Sequence, residues 1–218
     1  MGGMTLLMPF VVSGAFAFWL YFLLLIIFHV SEYLLTAAFR PDVLSFDNFL
    51  LNHSVAYQVA VLFCWVEYWI EYTILLFYPA FCPSCKQWSL VSSLGLCISV
   101  LGLLVRMLGM ATAAANFSHT IEEEHRREHQ LVTHGIYSVL RHPAYFGFFW
   151  WSVGTQMLLM NPVSWVLYTV TTFSFFRERI PYEEALLRGF FPDDYPDYRA
   201  RTWIGIPLLG GCIPTEAA

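Results

Sequence analysis

The chain has 218 residues, 58% hydrophobic and only 12% charged, with a mean hydropathy of +0.57. A water-soluble globule is about half apolar and about a quarter charged, so this balance excludes a soluble core and points to a bundle of membrane spans. The net charge of -5 is confined to a few short polar segments. No basic patch with interleaved aromatics suggests nucleic acid.

Five apolar runs follow in chain order, near 9–38, 53–80, 88–115, 143–160 and 163–178. Met1 to Met8 carries no Lys or Arg, so the first run reads as a retained anchor rather than a secretory signal. The first three runs exceed the roughly 20 residues that cross a hydrocarbon core. The last two are shorter and joined by Asn161-Pro162, a turn signal. They form a helical hairpin whose two ends share one side. The predicted fold is therefore all-α: a polytopic membrane bundle of about five spans, with transmembrane helices over 1–115 and a catalytic region over 116–218.

Ionisable residues interrupt these runs. An ionised side chain at mid-bilayer costs about 2.5–3.5 kcal/mol on insertion scales, so each needs a partner or a wet cavity. Glu67 and Glu71 share a face of run two, and Arg106 lies in run three. A Glu–Arg contact between those helices is expected. His29 and Glu32, near the end of run one, raise the same question. Between runs two and three, Cys82 and Cys85 have C-x-x-C spacing without a second pair, and they read as ordinary thiols in an exposed loop. Gly95, Gly102 and Gly109 repeat every seven residues, a stripe that lets a neighbouring helix approach closely.

Arg126, Arg127, Arg141, Arg177, Arg179, Arg188, Arg199 and Arg201, with Arg40, fall on one side of the predicted topology, against Lys86 on the other. The positive-inside rule places segment 116–142 and the C-terminal tail in the cytosol. Five of the seven histidines lie between 119 and 142. His125 and His129 have i, i+4 spacing, but no H-E-x-x-H or paired histidine box accompanies them, and no metal is expected. The acidic-basic run 122–128 alone is a solvated surface. His142-Pro143 opens run four, where proline suits the first helical turn. The unpaired N–H groups of that turn, with Arg141 and Tyr145, are expected to form a polar mouth beside which the hairpin delivers Arg177, Arg179 and Glu183.

At these residues the sequence resembles the isoprenylcysteine carboxyl methyltransferases. The matching stretches are Asn116-Phe117-Ser118-His119, His129 to Thr133 with Gly135 and Tyr137, and Arg141 to Tyr145 with Gly147. They continue through Gly154-Thr155-Gln156, Asn161-Pro162, Phe175-Phe176-Arg177, Arg179 and Glu183-Glu184. Earlier, His29 to Leu34 and Leu50 to Ser54 match too. The Arg-His-Pro-x-Tyr block is shared with phospholipid methyltransferases and sterol reductases, which stand as the alternatives. The start of the last cytosolic helix, around Ile180-Pro181-Tyr182, is left open.

The resemblance implies methyl transfer from S-adenosylmethionine to the C-terminal carboxylate of a farnesylated or geranylgeranylated cysteine. The family acts at the endoplasmic reticulum membrane, with the site facing the cytosol, on CaaX-processed proteins such as small GTPases. It implies cofactor contacts at Glu122, His129, Gln130, Leu131, Val132, Tyr137, His142, Pro143, Ala144, Tyr145 and Glu183. Arg179 would be the catalytic, substrate-binding residue that holds the carboxylate.

Overall fold

The computed structural model describes residues 2–52, 54–78, 80–82, 85–125 and 130–210, with side chains from Gly14 onward. The described residues form six α-helices: α1 Gly2–Phe39, α2 Val55–Phe77, α3 Leu90–Ala113, α4 Pro143–Leu159, α5 Pro162–Phe190 and α6 Tyr195–Arg201. Over 14–39, 55–77 and 90–116 the chain is long and apolar enough to cross a membrane. The all-helical bundle expected from the apolar runs is the one observed.

At 17 residues, α4 is the shortest of the long helices, about 26 Å at 1.5 Å per residue. Its residues are buried on nearly every side, as a helix apolar all round must be. The glycine stripe of α3 explains how α4 is held. A Cβ added at Gly95 would lie 2.3 Å from the Leu158 amide nitrogen, and one at Gly102 would lie 2.6 Å from that of Trp151. From the other side, Gly147 and Gly154 of α4 meet Arg106 and Ser99 of α3 just as closely. The two backbones therefore touch, and side chains larger than hydrogen force them apart. Gly102→Val is expected to cost at least about 1–3 kcal/mol, as overpacking does. The check is the yield of monodisperse protein in detergent and its thermal midpoint, against a Leu101→Val control on the exposed face of α3.

The far end of the bundle is tied by charges that cap helix ends. Glu67 accepts from the amides of Val163 and Ser164, both at 2.7 Å, at the N-terminus of α5. Lys86 donates to the carbonyls of Leu159 (2.9 Å) and Met160 (3.0 Å) at the C-terminus of α4 and pairs with Glu71 at 2.8 Å. Each charge has the sign that its helix end favours. The contact expected of Glu67 or Glu71 with Arg106 is therefore not made, because the hairpin turn claims both carboxylates and Arg106 lies nearer the opposite end of α3. Cys82 and Cys85, read from their spacing as ordinary thiols, are joined as a disulfide in this same loop.

α5 runs unbroken for 29 residues through Pro181, so no separate helix begins there. An internal proline loses one backbone hydrogen bond, but contacts on both sides of it hold this helix to the rest of the protein. Beyond α6 the chain returns along the hairpin, burying Ile204, Ile206 and Leu209 against Phe149, Val153, Phe176 and Ile180.

Candidate active site

The site lies where the C-terminus of α3, the N-terminus of α4 and the C-terminal half of α5 converge. Two buried carboxylates organise it. Glu32 of α1 pairs through both oxygens with the guanidinium of Arg106. The same carboxylate meets His119 Nε2 at 2.8 Å. Arg106 Nη1 also donates to the Ala144 carbonyl at 3.1 Å. Glu32 is 1% exposed, so this pair ties α1, α3, the 116–119 segment and the start of α4 together inside the protein. Just past α1, Arg40 donates to the Ala115 and Phe117 carbonyls and fixes the same segment from outside.

Glu184 of α5 is the second hub, with no exposed surface. It accepts from Arg141 Nε at 2.5 Å and Arg199 Nε at 2.9 Å, and lies 3.3 Å from His142 Nε2. Arg141 reaches on to the Thr202 carbonyl at 2.6 Å. Residues 139–141 and Trp203 exchange backbone hydrogen bonds. The tail is thus locked onto the segment leading into α4. Burial alone raises the Glu184 carboxyl, but His142 and Arg141 outweigh it and hold its pKa down from 4.5 to about 2. A depressed carboxyl pKa stabilises the fold above the unfolded value, and that contribution fades as pH falls from about 4.5 through about 2. The thermal midpoint of the parent is expected to drop over that window. A Glu184→Gln variant, already destabilised at pH 7, should lack this part of the drop.

Between the hubs, Tyr145 of α4 joins the two residues that α5 presents. Its hydroxyl donates to Glu183 Oε2 at 2.5 Å and accepts from Arg179 Nε at 2.8 Å. Arg179 Nη2 donates to the His119 carbonyl at 2.8 Å. Among the described residues, Arg106 and Arg141 are each matched by a carboxylate and Arg179 is not. Among the described residues, none hydrogen-bonds Glu183 Oε1, the Tyr145 hydroxyl using Oε2. The donors expected to be unpaired at the start of α4 are fewer than anticipated, since the amides of Tyr145 and Phe146 both reach the His142 carbonyl. Arg141 lines the cavity there as expected, with its guanidinium held by Glu184 and the Thr202 carbonyl.

Two cavities flank Tyr145. The first holds about 690 Å³ of open space and is lined by Gln130, Leu131, Val132, Tyr137, His142, Pro143, Ala144 and Glu183, with Asn116, Leu187 and Tyr198. Burial, and then the Glu183 charge, raises the pKa of the Tyr137 hydroxyl, which keeps it a hydrogen-bond donor. The second holds about 580 Å³ between apolar walls of Phe28, Leu50, Phe148, Phe175 and Phe176, with Arg179 and His119 among its polar groups. Phe117, Ser118 and Tyr145 line both. A polar cavity and an apolar one therefore share a wall, and the unmatched guanidinium stands on the apolar side.

Nine of the residues expected to contact a cofactor come together in the first cavity, and Arg179 reaches it through Tyr145. Glu122 does not join them and lines an adjoining cleft with Thr36 and Arg40. His129 lies outside the described residues. No group of three or more His, Cys, Asp or Glu among the described residues is placed to hold a metal ion. The pattern of residues gave no role to Glu184 as a hub, nor to Tyr198, whose hydroxyl bonds the Tyr137 carbonyl at 2.9 Å. The signal available for Glu184 was its place next to Glu183, one helical step round toward the arginines of the tail.

The fold is that of a polytopic membrane protein in which a polar cavity and a largely apolar one lie side by side. Residues 94–189 match the family described as isoprenylcysteine carboxyl methyltransferase. Protein-S-isoprenylcysteine O-methyltransferase of Rattus norvegicus is 42% identical over 209 residues, 96% of this chain and 71% of that protein. The Dictyostelium discoideum protein of the same name is 45% identical over 180 residues, 83% of this chain and 73% of its own length. A solved structure of a eukaryotic intramembrane Ras methyltransferase superposes with a TM-score of 0.83 at 39% identity, covering 91% of this chain and 69% of that one. The chain belongs to the isoprenylcysteine carboxyl methyltransferase family, and it is an integral membrane methyltransferase.

Proposed function

We propose that the protein esterifies the free carboxylate of a C-terminal prenylated cysteine with a methyl group from S-adenosylmethionine, on CaaX-processed proteins such as small GTPases. The observation that carries this is Arg179: a half-buried guanidinium with no carboxylate of its own, in an apolar cleft, one tyrosine hydroxyl from the polar cavity. The acceptor it fits has a long hydrocarbon tail ending in an anion. A guanidinium holds such an anion in fixed geometry and stays charged.

The donor set of the first cavity fits S-adenosylmethionine. Leu131, Val132, Pro143 and Ala144 offer apolar contact for a base, Glu183 Oε1 can accept from an amino or hydroxyl group, and the rings of Tyr137 and Tyr145 suit a cation. When bound, this cofactor supplies an electrophilic methyl on a sulfonium. The protein's residues need only position the acceptor and exclude water. An α-carboxyl has a pKa of about 3.3–3.7, so the acceptor is already ionised at neutral pH and no general base is required. Orientation of this kind supplies about 7–11 kcal/mol of a barrier.

The disulfide supports a site on the cytosolic side of the membrane, and the family resemblance supports the endoplasmic reticulum as that membrane. Cys82–Cys85 lies in the loop at the opposite end of α3 from the site, and disulfides persist on the oxidising side of a membrane. The membrane location follows from the acceptor, because each buried CH₂ holds a lipid tail in the bilayer by about 0.8 kcal/mol.

The test is transfer of labelled methyl from S-adenosylmethionine to N-acetyl-S-farnesylcysteine by the purified protein. Transfer to the acid and none to the corresponding amide is expected. Transfer to phosphatidylethanolamine instead, or reduction of a sterol with a nicotinamide, would contradict the proposal. Glu183→Ala should weaken binding of S-adenosylhomocysteine about tenfold, the loss of one charge-assisted hydrogen bond, measured by calorimetry.

A further inference from the structure

Tyr57 lies at a junction between two cavities. It is the residue by which α2 reaches the Arg179 cleft, and it also lines a groove of about 1160 Å³ between α1 and α2. The two spaces are neighbours along every element they share. Phe28 faces the cleft and His29 the groove, while Leu50 lines the cleft and Leu51 the groove. Groove residues Ile26, Val30 and Leu62 are exposed on the membrane-spanning surface, so the groove opens sideways to lipid.

Tyr57 is held in place. Its hydroxyl lies 3.0 Å from His29 Nε2, and His29 Nδ1 lies 2.6 Å from the Phe49 carbonyl. A carbonyl accepts only, so Nδ1 carries the proton, and Nε2 is left to accept from the tyrosine. One imidazole thereby pins the ring between α1, the 46–49 turn and α2. Among the described residues, no other lines both spaces.

We infer that Tyr57, positioned by His29, is the partition that sets how far an acceptor's hydrocarbon tail extends, and so determines selectivity for tail length. This rests on the proposed function. A tail whose anionic end sits at Arg179 fills the aromatic cleft first. A longer one must pass Tyr57 into the groove. Tyr57 takes no part in methyl transfer. Its effect is on the ranking of acceptors that differ by whole isoprene units.

The experiment compares kcat/KM for N-acetylcysteines carrying geranyl, farnesyl and geranylgeranyl tails, each one isoprene unit longer than the last. In Tyr57→Ala the ratio of geranylgeranyl to geranyl acceptor should rise about tenfold over the parent, the scale on which an apolar pocket discriminates a misfitted hydrocarbon group. Tyr57→Phe, which keeps the ring and loses the His29 bond, should shift it less. A ratio within about twofold of the parent in both Tyr57→Ala and Tyr57→Leu would overturn the inference. If the parent methylates none of the three acceptors, the underlying function falls as well, which separates the two failures. A second measurement uses the parent alone. A geranylgeranyl acceptor with a diazirine on its last isoprene should label the peptides spanning 22–30 and 58–65, and labelling only around Phe148 and Phe175 would overturn the inference.

Discussion

Arg179→Ala is expected to lower methyl transfer at least about 10²–10³-fold, the usual loss when a preorganised charge at a reacting centre is removed. Binding of S-adenosylhomocysteine should stay within a few-fold of the parent. The asymmetry follows from position, since Arg179 lines the apolar cleft and touches the polar cavity only through the Tyr145 hydroxyl. Arg179→Lys should recover part of the loss, because an ammonium keeps the charge without the planar fork. Tyr145 loses one partner in either variant but keeps Glu183. Calorimetry with S-adenosylhomocysteine and a labelled-methyl assay separate the two effects. Parent-like turnover in Arg179→Ala would remove the assignment.

The second large effect is expected at Glu32. Glu32→Gln should destabilise the protein by about 3–5 kcal/mol, because Arg106 is then a buried charge without its counter-ion. The damage should reach the site, since Arg106 also holds the Ala144 carbonyl and Glu32 also holds His119, whose own carbonyl anchors Arg179. Replacing Glu32 and Arg106 together with leucine and methionine removes both charges. That double variant should be more stable than either single one, the non-additivity expected of partners in contact. It should still be a poor enzyme, because the His119 imidazole then loses its carboxylate partner and the Ala144 carbonyl its guanidinium. Thermal unfolding in detergent of the four proteins checks this, and additive losses would contradict it.

Much of the architecture was legible in the residues because the bilayer imposes simple constraints. Length and hydropathy mark the first three helices. Asn161-Pro162 marks the hairpin, and the heptad glycines of α3 mark a close helix contact, whose partner the fold shows to be α4. The convergence of Tyr145, Arg179 and Glu183 followed from connectivity alone, since a hairpin returns the chain to the side it left. Pairing of buried charges was less legible. Three glutamates and an arginine within apolar runs must all find partners, but spacing cannot say which. Arg106 chose Glu32, 74 positions away, while Glu67 and Glu71 serve helix ends at the hairpin turn. Nor could sequence spacing alone say that Cys82 and Cys85 are joined, or that α5 continues through Pro181. The first depends on the redox conditions the loop meets, and the second on contacts that the helix makes on both sides of the proline. Nor could spacing say which space Glu122 faces: it lines the cleft beside Arg40, which adjoins the first cavity at Phe117 and Ser118.

The proposed transfer requires a polar and an apolar cavity to meet at Phe117, Ser118 and Tyr145. An experimental structure with S-adenosylhomocysteine bound tests this most directly. Its adenosyl group should lie against Leu131, Val132 and Pro143, with the sulfur toward Tyr145. Density in the cleft beside Arg40 and Glu122, with the Glu183 cavity empty, would contradict it.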